Sequence, residues 1–199
     1  EPTSAILLNA AEMRITSASV TLADGSTIGA SATVDEAAER ATVTLDRAMP
    51  AGVAKLSLEF DGTLNDQLRG FYRSQYEGPD GESRFLATTQ FEATDARRAF
   101  PCWDEPEAKA VFEVTLAIPD ALVAVSNMPV ASESSRGAGQ REVRFEPSPL
   151  MSTYLVAFIV GDLASVEGKS GNGTLVRVFA TKGKEEHGRF ALENSLKIL

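Results

Sequence analysis

Hydrophobic and polar residues alternate along most of this sequence. In the clearest stretch, residues 54–61, every second residue from Ala54 is apolar and the residues between are polar or charged. Successive side chains of a β-strand point to opposite faces, so this spacing predicts a half-buried strand. The same alternation predicts strands over residues 110–118 and 175–180. Weaker patterns predict strands at Met13–Leu22 and at residues 42–45 and 142–145.

Turn-forming residues mark two reversals of the chain. Residues 78–81, Gly-Pro-Asp-Gly, separate two aromatic or β-branched segments within residues 70–89. Glycine and proline supply the dihedral angles of a tight turn, so we expect a hairpin there. Residues 132–140, rich in serine, glycine and charge, predict a second reversal. Residues 154–160 are apolar on both faces, which favours a central strand covered on both sides.

Only the last stretch of the chain changes its period. Residues 184–199 place Leu192, Leu196 and Leu199 at helical spacing without proline, which predicts a helix. No upstream helix offers a partner for its apolar stripe. We therefore predict an all-β domain, an antiparallel sandwich or saddle, over residues 1–183, and the beginning of a second domain over residues 184–199.

Composition and charge exclude several classes of protein. The 199 residues, 43% hydrophobic and 24% charged, suffice for a core without disulfides or a structural metal. The net charge of -9 opposes binding to nucleic acid or an anionic membrane surface. The longest apolar run, residues 154–160, is far below the roughly 20 residues that span a bilayer. We expect neither a nucleic-acid partner nor a membrane span.

Two features of the sequence bear on cellular location: the start of the chain and its cysteine content. The chain begins at Glu1 with no Met and no apolar leader, which indicates either a processed terminus or a boundary introduced by truncation. A single cysteine is compatible with a reducing cytosol. We expect a cytoplasmic location, with export left open.

Few residues could build a catalytic site on their own. The single histidine, His187, cannot supply a two-histidine zinc motif, and we interpret it as a solvated residue at the start of the helix. Cys102 has no histidine base nearby in sequence, which favours a buried free thiol over a nucleophile. Phosphate-binding glycine loops are absent. The sequence therefore predicts no catalytic residue and no metal ligand in this chain.

Residues 87–106 combine charged and aromatic residues at unusual density. A solvated loop rarely carries so many large apolar groups, and a plain strand rarely carries so many charges. The mixture predicts a partly buried network in which carboxylates hold arginines, so that no charge is left unpaired. The candidate members are Asp95, Arg97, Arg98, Asp104 and Glu105, among the aromatics Phe91, Phe100 and Trp103.

Gln90 and Glu92 lie two residues apart at the end of an extended run, so we expect their side chains on one face. A carboxylate beside an amide can receive an ammonium group, the carboxylate through a charge-assisted hydrogen bond and the amide as a second acceptor. The alternative is a purely structural pair between Glu92 and Arg97 or Arg98. The residues alone leave both interpretations open.

Residues 89–106 read TQFEATDARRAFPCWDEP and resemble the signature of the aminopeptidase N family of zinc metallopeptidases, most closely its puromycin-sensitive branch. Residues 62–76 (GTLNDQLRGFYRSQY), 124–130 (AVSNMPV) and 151–162 (MSTYLVAFIVGD) resemble the family in the same order. The resemblance implies the β-rich N-terminal domain of a hydrolase that removes N-terminal amino acids from peptides. The thermolysin-like catalytic domain, with its zinc ligands and general base, would follow beyond Leu199.

The resemblance also implies roles for individual residues. Glu92 matches the family glutamate that holds the free α-amino group of the substrate, and Gln90 matches the glutamine lining the pocket for the first side chain. The charged network would hold the loop of Glu92 against the catalytic domain. Zinc would be bound by the full-length parent and not by this chain.

Two partners and two rival functions complete these expectations. The implied partners are peptide N-termini and the catalytic domain, which would pack against residues 89–106. One rival is a free-standing β-sandwich that binds a peptide, a carbohydrate or a protein. The other is a family member that has lost its zinc ligands and serves as a scaffold.

Overall fold

A computed structural model describes all residues Glu1–Leu199 and divides them into two compact units. The first unit comprises Glu1–Tyr72, Thr89–Phe112 and Pro149–Val156, and the second comprises Arg73–Thr88, Glu113–Ser148 and Ala157–Leu199. The elements are β1 (Thr3–Asn9), β2 (Met13–Leu22), β3 (Thr27–Asp35), β4 (Arg40–Met49), β5 (Ala54–Gly62), β6 (Gly70–Glu77), β7 (Ser83–Gln90), β8 (Thr115–Pro119), β9 (Val123–Ser126), β10 (Val130–Gly137), β11 (Gln140–Phe145), β12 (Phe158–Gly161), β13 (Leu163–Lys169), β14 (Leu175–Thr181) and α1 (Arg189–Ile198). The predicted all-β class with a C-terminal helix is confirmed.

A five-stranded antiparallel sheet forms the body of the first unit, in the order β1-β4-β3-β2-β5. One face of this sheet is apolar, and its buried residues include Val20, Ile28 and Val43. Leu56 and Leu58 of β5 pack against this core while the residues between them are exposed, as the alternation predicts. Each fully buried aliphatic side chain contributes roughly 1.5–3 kcal/mol, so this face stabilises the sheet.

Three strands of this sheet differ from the prediction: β1 and β3 were not predicted, and β4 is longer than predicted. The alternation identifies neither β1 nor β3, because both contain many small or polar residues. Strand β4 covers Arg40–Met49 and not only residues 42–45. Strands of such mixed composition form here because β4 pairs with both of them and supplies their hydrogen bonds.

The second unit contains strands of three further sheets, in the orders β6-β7-β12-β9, β10-β11-β8 and β13-β14. The predicted hairpin of β6 and β7 is present, and its turn is closed by a hydrogen bond from the Gly78 N–H to the Glu82 carbonyl, 2.8 Å. Gly81 in this turn has a φ of +79°, a conformation that favours glycine.

Three predictions about strand limits are wrong. The strand predicted over residues 110–118 is regular only at β8, and Ala110 instead forms an isolated bridge with Met151. The reversal predicted over residues 132–140 is mostly strand β10, which leaves a turn at Ala138 and Gly139. The strand predicted over residues 154–160 begins only at β12.

The polar residues just before β12 explain its late start. The Ser152 hydroxyl donates to the Pro106 carbonyl at 2.6 Å, and the Thr153 hydroxyl donates to the Trp103 carbonyl at 3.1 Å. These bonds fix a 3-10 helix over Thr153–Leu155 in place of a strand. Apolar residues continue across this position, so hydropathy alone does not reveal the change.

Helix α1 packs on the hairpin of β13 and β14, not on another helix. Leu192 is buried there, and a Cβ on Gly168 would lie 2.9 Å from the Leu196 side chain, so the glycine makes room for the helix. A 3-10 helix over Glu185–Gly188 precedes α1. The domain boundary after residue 183 stays a prediction. None of the helices has the length and hydropathy that crossing a bilayer requires.

Candidate functional site

Residues 89–106, here called the motif segment, run alongside the end of β1 in the first unit. Asn9 and Cys102 exchange backbone hydrogen bonds of 2.7 and 3.0 Å. The Asp104 N–H donates to the Asn9 side-chain oxygen at 3.1 Å, and the Trp103 indole donates to the Leu7 carbonyl at 2.9 Å. These bonds attach the second half of the motif segment to the edge of the five-stranded sheet.

Gln90 and Glu92 lie on either side of a buried phenylalanine. Phe91 is 2% exposed and meets Phe100 edge to face, with ring centroids 5.8 Å apart. Gln90 ends β7 and is exposed, and Glu92 is exposed in the turn that follows. The Asp95 N–H closes this turn on the Phe91 carbonyl at 2.9 Å. The Glu92–Ala93 peptide bond is cis.

The guanidinium of Arg98 is held by three carboxylates. Its Nε donates to Asp95 at 2.9 Å, Nη1 to Glu12 at 2.6 Å and Nη2 to Glu39 at 2.5 Å. The arginine side chain is only 9% exposed. Burial alone would lower the pKa of Arg98, but the hydrogen bond to Asp95 and the charges of Glu12 and Glu39 outweigh burial and raise it.

Arg97 extends the same ion-pair network. Its Nε donates to Asp104 at 3.0 Å, and its Nη1 donates to Glu39 at 3.2 Å. Glu39 therefore bridges the two arginines, with one carboxylate oxygen on each. Glu92 is not a partner in these pairs, so the structural pair between Glu92 and either arginine does not form in this structure.

Glu12 and Glu39 belong to this network but have no signal in the sequence. Glu12 lies between β1 and β2, and Glu39 lies in the turn before β4, which places them 86 and 59 residues from Arg98. Both have left-handed backbones, with φ values of 57° and 50°. This conformation costs a non-glycine residue roughly 1–2 kcal/mol.

Of the predicted network, Asp95, Arg97, Arg98 and Asp104 are brought together, and Glu105 is not among their ion pairs. Glu105 is exposed, and its carbonyl accepts a hydrogen bond from the Ala108 N–H at 3.0 Å. Its backbone therefore begins a local turn near the end of the motif segment.

The remaining candidate nucleophile and metal ligand do not form a reactive site. Burial, with a smaller contribution from Asp104, raises the pKa of the Cys102 thiol to about 12 and outweighs the opposing effect of Arg97. His187 lies in the 3-10 helix before α1. No group of three or more His, Cys, Asp or Glu residues is arranged to hold a metal ion, so the residues of this chain do not fit catalytic zinc.

Comparison with known proteins identifies the family to which this motif segment belongs. Residues 1–155 match the peptidase M1 N-terminal domain. The chain belongs to the peptidase M1 family. The family predicted from the motif segment is therefore confirmed.

Several M1 relatives are similar over most or all of the chain. Aminopeptidase M1-B of Oryza sativa subsp. japonica is 48% identical over 198 residues, which cover 100% of this chain and 22% of the relative. The puromycin-sensitive aminopeptidase of Caenorhabditis elegans is 47% identical over 79% of the chain and 17% of its own length. Aminopeptidase N of Acetobacter pasteurianus is 41% identical over 100% of the chain and 54% of its own length. The chain thus spans about a fifth of the rice and nematode M1 proteins, which contain further domains.

Proposed function

We propose that this M1 N-terminal domain recognises the free amino terminus of a peptide, with Glu92 as the receptor for the α-ammonium group. The observation that supports this proposal is an exposed carboxylate in a turn whose neighbouring arginines are both bound to other carboxylates. Neither arginine therefore occupies the Glu92 carboxylate, which is open to a cationic partner. A charge-assisted hydrogen bond between a carboxylate and an ammonium group is stronger than a bond between neutral groups.

The proposed role accounts for cleavage of a single residue from the end of a peptide. An exopeptidase needs a fixed distance between the group that holds the ammonium ion and the group that attacks the first peptide bond. Glu92 would define one end of that distance. The attacking water and the zinc that activates it would belong to the part of the protein outside this chain.

Gln90 would line the pocket for the first side chain of the substrate. Its exposed amide lies two residues before Glu92, on the other side of buried Phe91. An amide offers both a donor and an acceptor, so Gln90 could also orient the Glu92 carboxylate. The ion-pair network would hold the motif segment in place against the catalytic domain.

The test is the Glu92→Ala substitution in the full-length protein that carries this chain. We expect kcat/KM on an unblocked aminoacyl p-nitroanilide to fall by the equivalent of about 2–4 kcal/mol, roughly 30- to 1000-fold. Glu107→Ala is the matched control, because Glu107 is an exposed glutamate just beyond the motif segment. An unchanged kcat/KM in Glu92→Ala would remove Glu92 from the site.

The same preparation separates the enzyme from the two rival functions. A working enzyme binds stoichiometric zinc and loses its turnover on chelation. A scaffold that lacks zinc ligands, or a binding module, shows neither property. The proposed cytoplasmic location is tested independently by fractionating cells that express the full-length protein.

A further inference from the structure

We infer that Glu39 is a positioning residue for the proposed ammonium receptor, acting through Arg97 and Arg98 on the turn that carries Glu92. This inference rests on the proposed function of Glu92. Glu39 lies in the turn that joins β3 and β4 of the five-stranded sheet, 59 residues from Arg98 in sequence. Glu39 therefore belongs to a different part of the fold and can hold the turn that carries Glu92.

The Glu39 carboxylate is divided between two consecutive arginines. Its Oε1 accepts from Arg98 Nη2 at 2.5 Å, and its Oε2 accepts from Arg97 Nη1 at 3.2 Å. The backbone supports this arrangement, because the Glu39 carbonyl accepts from the Ala10 N–H at 3.1 Å and the Arg97 carbonyl accepts from the Ala11 N–H at 2.9 Å. Side-chain and backbone bonds thus fix the arginine pair to the sheet at one place.

A short series of local hydrogen bonds connects the arginine pair to Glu92. The Arg98 N–H donates to the Asp95 carbonyl at 3.1 Å, and the Asp95 N–H donates to the Phe91 carbonyl at 2.9 Å. Asp95 also accepts from Arg98 Nε, so the turn is closed by its backbone and by a side chain. Glu92 lies inside this closed turn, between Phe91 and Asp95. A shift of Arg98 would therefore change the direction of the Glu92 carboxylate.

The backbone conformations of Glu12 and Glu39 support a role beyond charge neutralisation. Four residues other than glycine have a positive φ: Glu12, Glu39, Leu68 and Ala138. Two of these four are the glutamates that hold Arg98. The left-handed region is disfavoured for residues with a Cβ, and such residues often occur where a side chain must be aimed. Here each unfavourable backbone directs a carboxylate to the same guanidinium.

A positioning role and a merely structural role predict different measurements. Loss of a structural ion pair would weaken every ligand of the site by a similar factor. Loss of a positioning residue would weaken only ligands that use the ammonium receptor. Leucine hydroxamate and its desamino analogue, 4-methylpentanoic hydroxamate, differ only in the amino group and therefore separate the two cases.

The experiment measures inhibition constants of both hydroxamates for the full-length protein and its Glu39→Gln, Glu92→Ala and double variants. We expect Glu39→Gln to reduce the preference for the amine-bearing ligand about tenfold, with the desamino constant unchanged. In the Glu92→Ala background, Glu39→Gln should change this preference no further. Glu59→Gln is the control, because Glu59 is an exposed glutamate on β5 of the same sheet.

Four results would overturn the inference, and the first is an unchanged preference in Glu39→Gln. Equal weakening of both ligands by Glu39→Gln would indicate a structural role, and the same loss of preference in both backgrounds would show that Glu39 acts independently of Glu92. An unchanged preference in Glu92→Ala would instead refute the proposed function itself, and the inference with it. If Glu39→Gln does not fold, Glu12→Gln tests the same inference. Glu12 accepts a hydrogen bond from Arg98 and has no ion pair with Arg97. A selective loss in Glu12→Gln supports positioning, and an unselective loss or no loss refutes it.

Discussion

Arg97 and Asp104 form a buried ion pair with 3.0 Å between Nε and Oδ2, and only 1% of the Asp104 side chain is exposed. Arg14 and Asp61 are paired at the same distance, but their side chains are 79% and 69% exposed. The two pairs have the same separation and differ in burial and in the donating nitrogen, which is Nε in Arg97 and Nη2 in Arg14. They therefore allow a comparison of a buried and an exposed ion pair in one unit.

We expect Asp104→Ala to lower the free energy of unfolding of the chain by about 3–5 kcal/mol, because it leaves Arg97 buried without one of its carboxylates. Asp61→Ala should change it by less than about 1 kcal/mol, because water and salt screen an exposed pair. Urea unfolding of both variants measures the difference. Equal effects would show that burial does not decide the contribution of these pairs.

Cys102 provides a prediction about pH. Burial raises the pKa of this thiol from about 9 to about 12 in the folded chain, so the folded state holds the proton more tightly than the unfolded state. Stability linked to Cys102 is therefore complete below about pH 9 and is lost as the pH rises toward 12. We expect the stability of the wild-type chain to fall across this range by up to about 1 kcal/mol per pH unit more steeply than that of Cys102→Ala.

Two measurements check the state of this thiol. Unfolding curves between pH 8 and 10.5 give the slopes of the two proteins, and parallel slopes would contradict the raised pKa. Reaction with iodoacetamide at neutral pH should be slow in the folded chain and fast in denaturant, because the thiolate is the reactive form. Fast alkylation without denaturant would show that Cys102 is accessible and ionised.

Gly70 tests how tightly the motif segment packs. It has a φ of +66°, and a Cβ at this position would lie 2.8 Å from the Cβ of Arg98. Gly25, in the turn between β2 and β3, has a φ of +82° but open space around it. We expect Gly25→Ala to cost roughly 1–2 kcal/mol from backbone conformation alone, and Gly70→Ala to cost about 1–3 kcal/mol more from overpacking.

Thermal or urea unfolding of the two glycine variants measures that difference. We also expect Gly70→Ala to lower kcat/KM of the full-length protein, because a shift of Arg98 would displace the turn that carries Glu92. Equal destabilisation in Gly25→Ala and Gly70→Ala would show that the neighbourhood of Gly70 relaxes freely around the added methyl group.

The chain by itself should have no peptidase activity. Its 199 residues offer no cluster of metal-binding side chains, and its one cysteine is buried. We expect substoichiometric zinc by mass spectrometry after dialysis against the metal, and no chelator-sensitive cleavage of aminoacyl p-nitroanilides. Stoichiometric zinc together with such cleavage would contradict this prediction.

Local patterns predicted the parts of the fold that depend on neighbouring residues. The alternation around Leu56 and Leu58 identifies β5, because the two faces of a strand follow from side-chain geometry alone. The glycines of the 78–81 turn identify the hairpin of β6 and β7, because the dihedral angles of a tight turn also follow from local residue type. Alternation did not predict that Ala110 pairs with Met151, because a regular strand also requires a partner along its full length.

The sequence by itself determined the family and the all-β class, because the motif segment and the period-2 pattern are local properties. Only the tertiary structure decided which charges meet. Glu39 and Arg98 are 59 residues apart in the chain, and nothing in the composition around either residue indicates the other. Their pairing depends on the register that brings the turn before β4 beside the motif segment. Ion pairs of this kind are set by the path of the backbone, so they become visible only when the chain is folded.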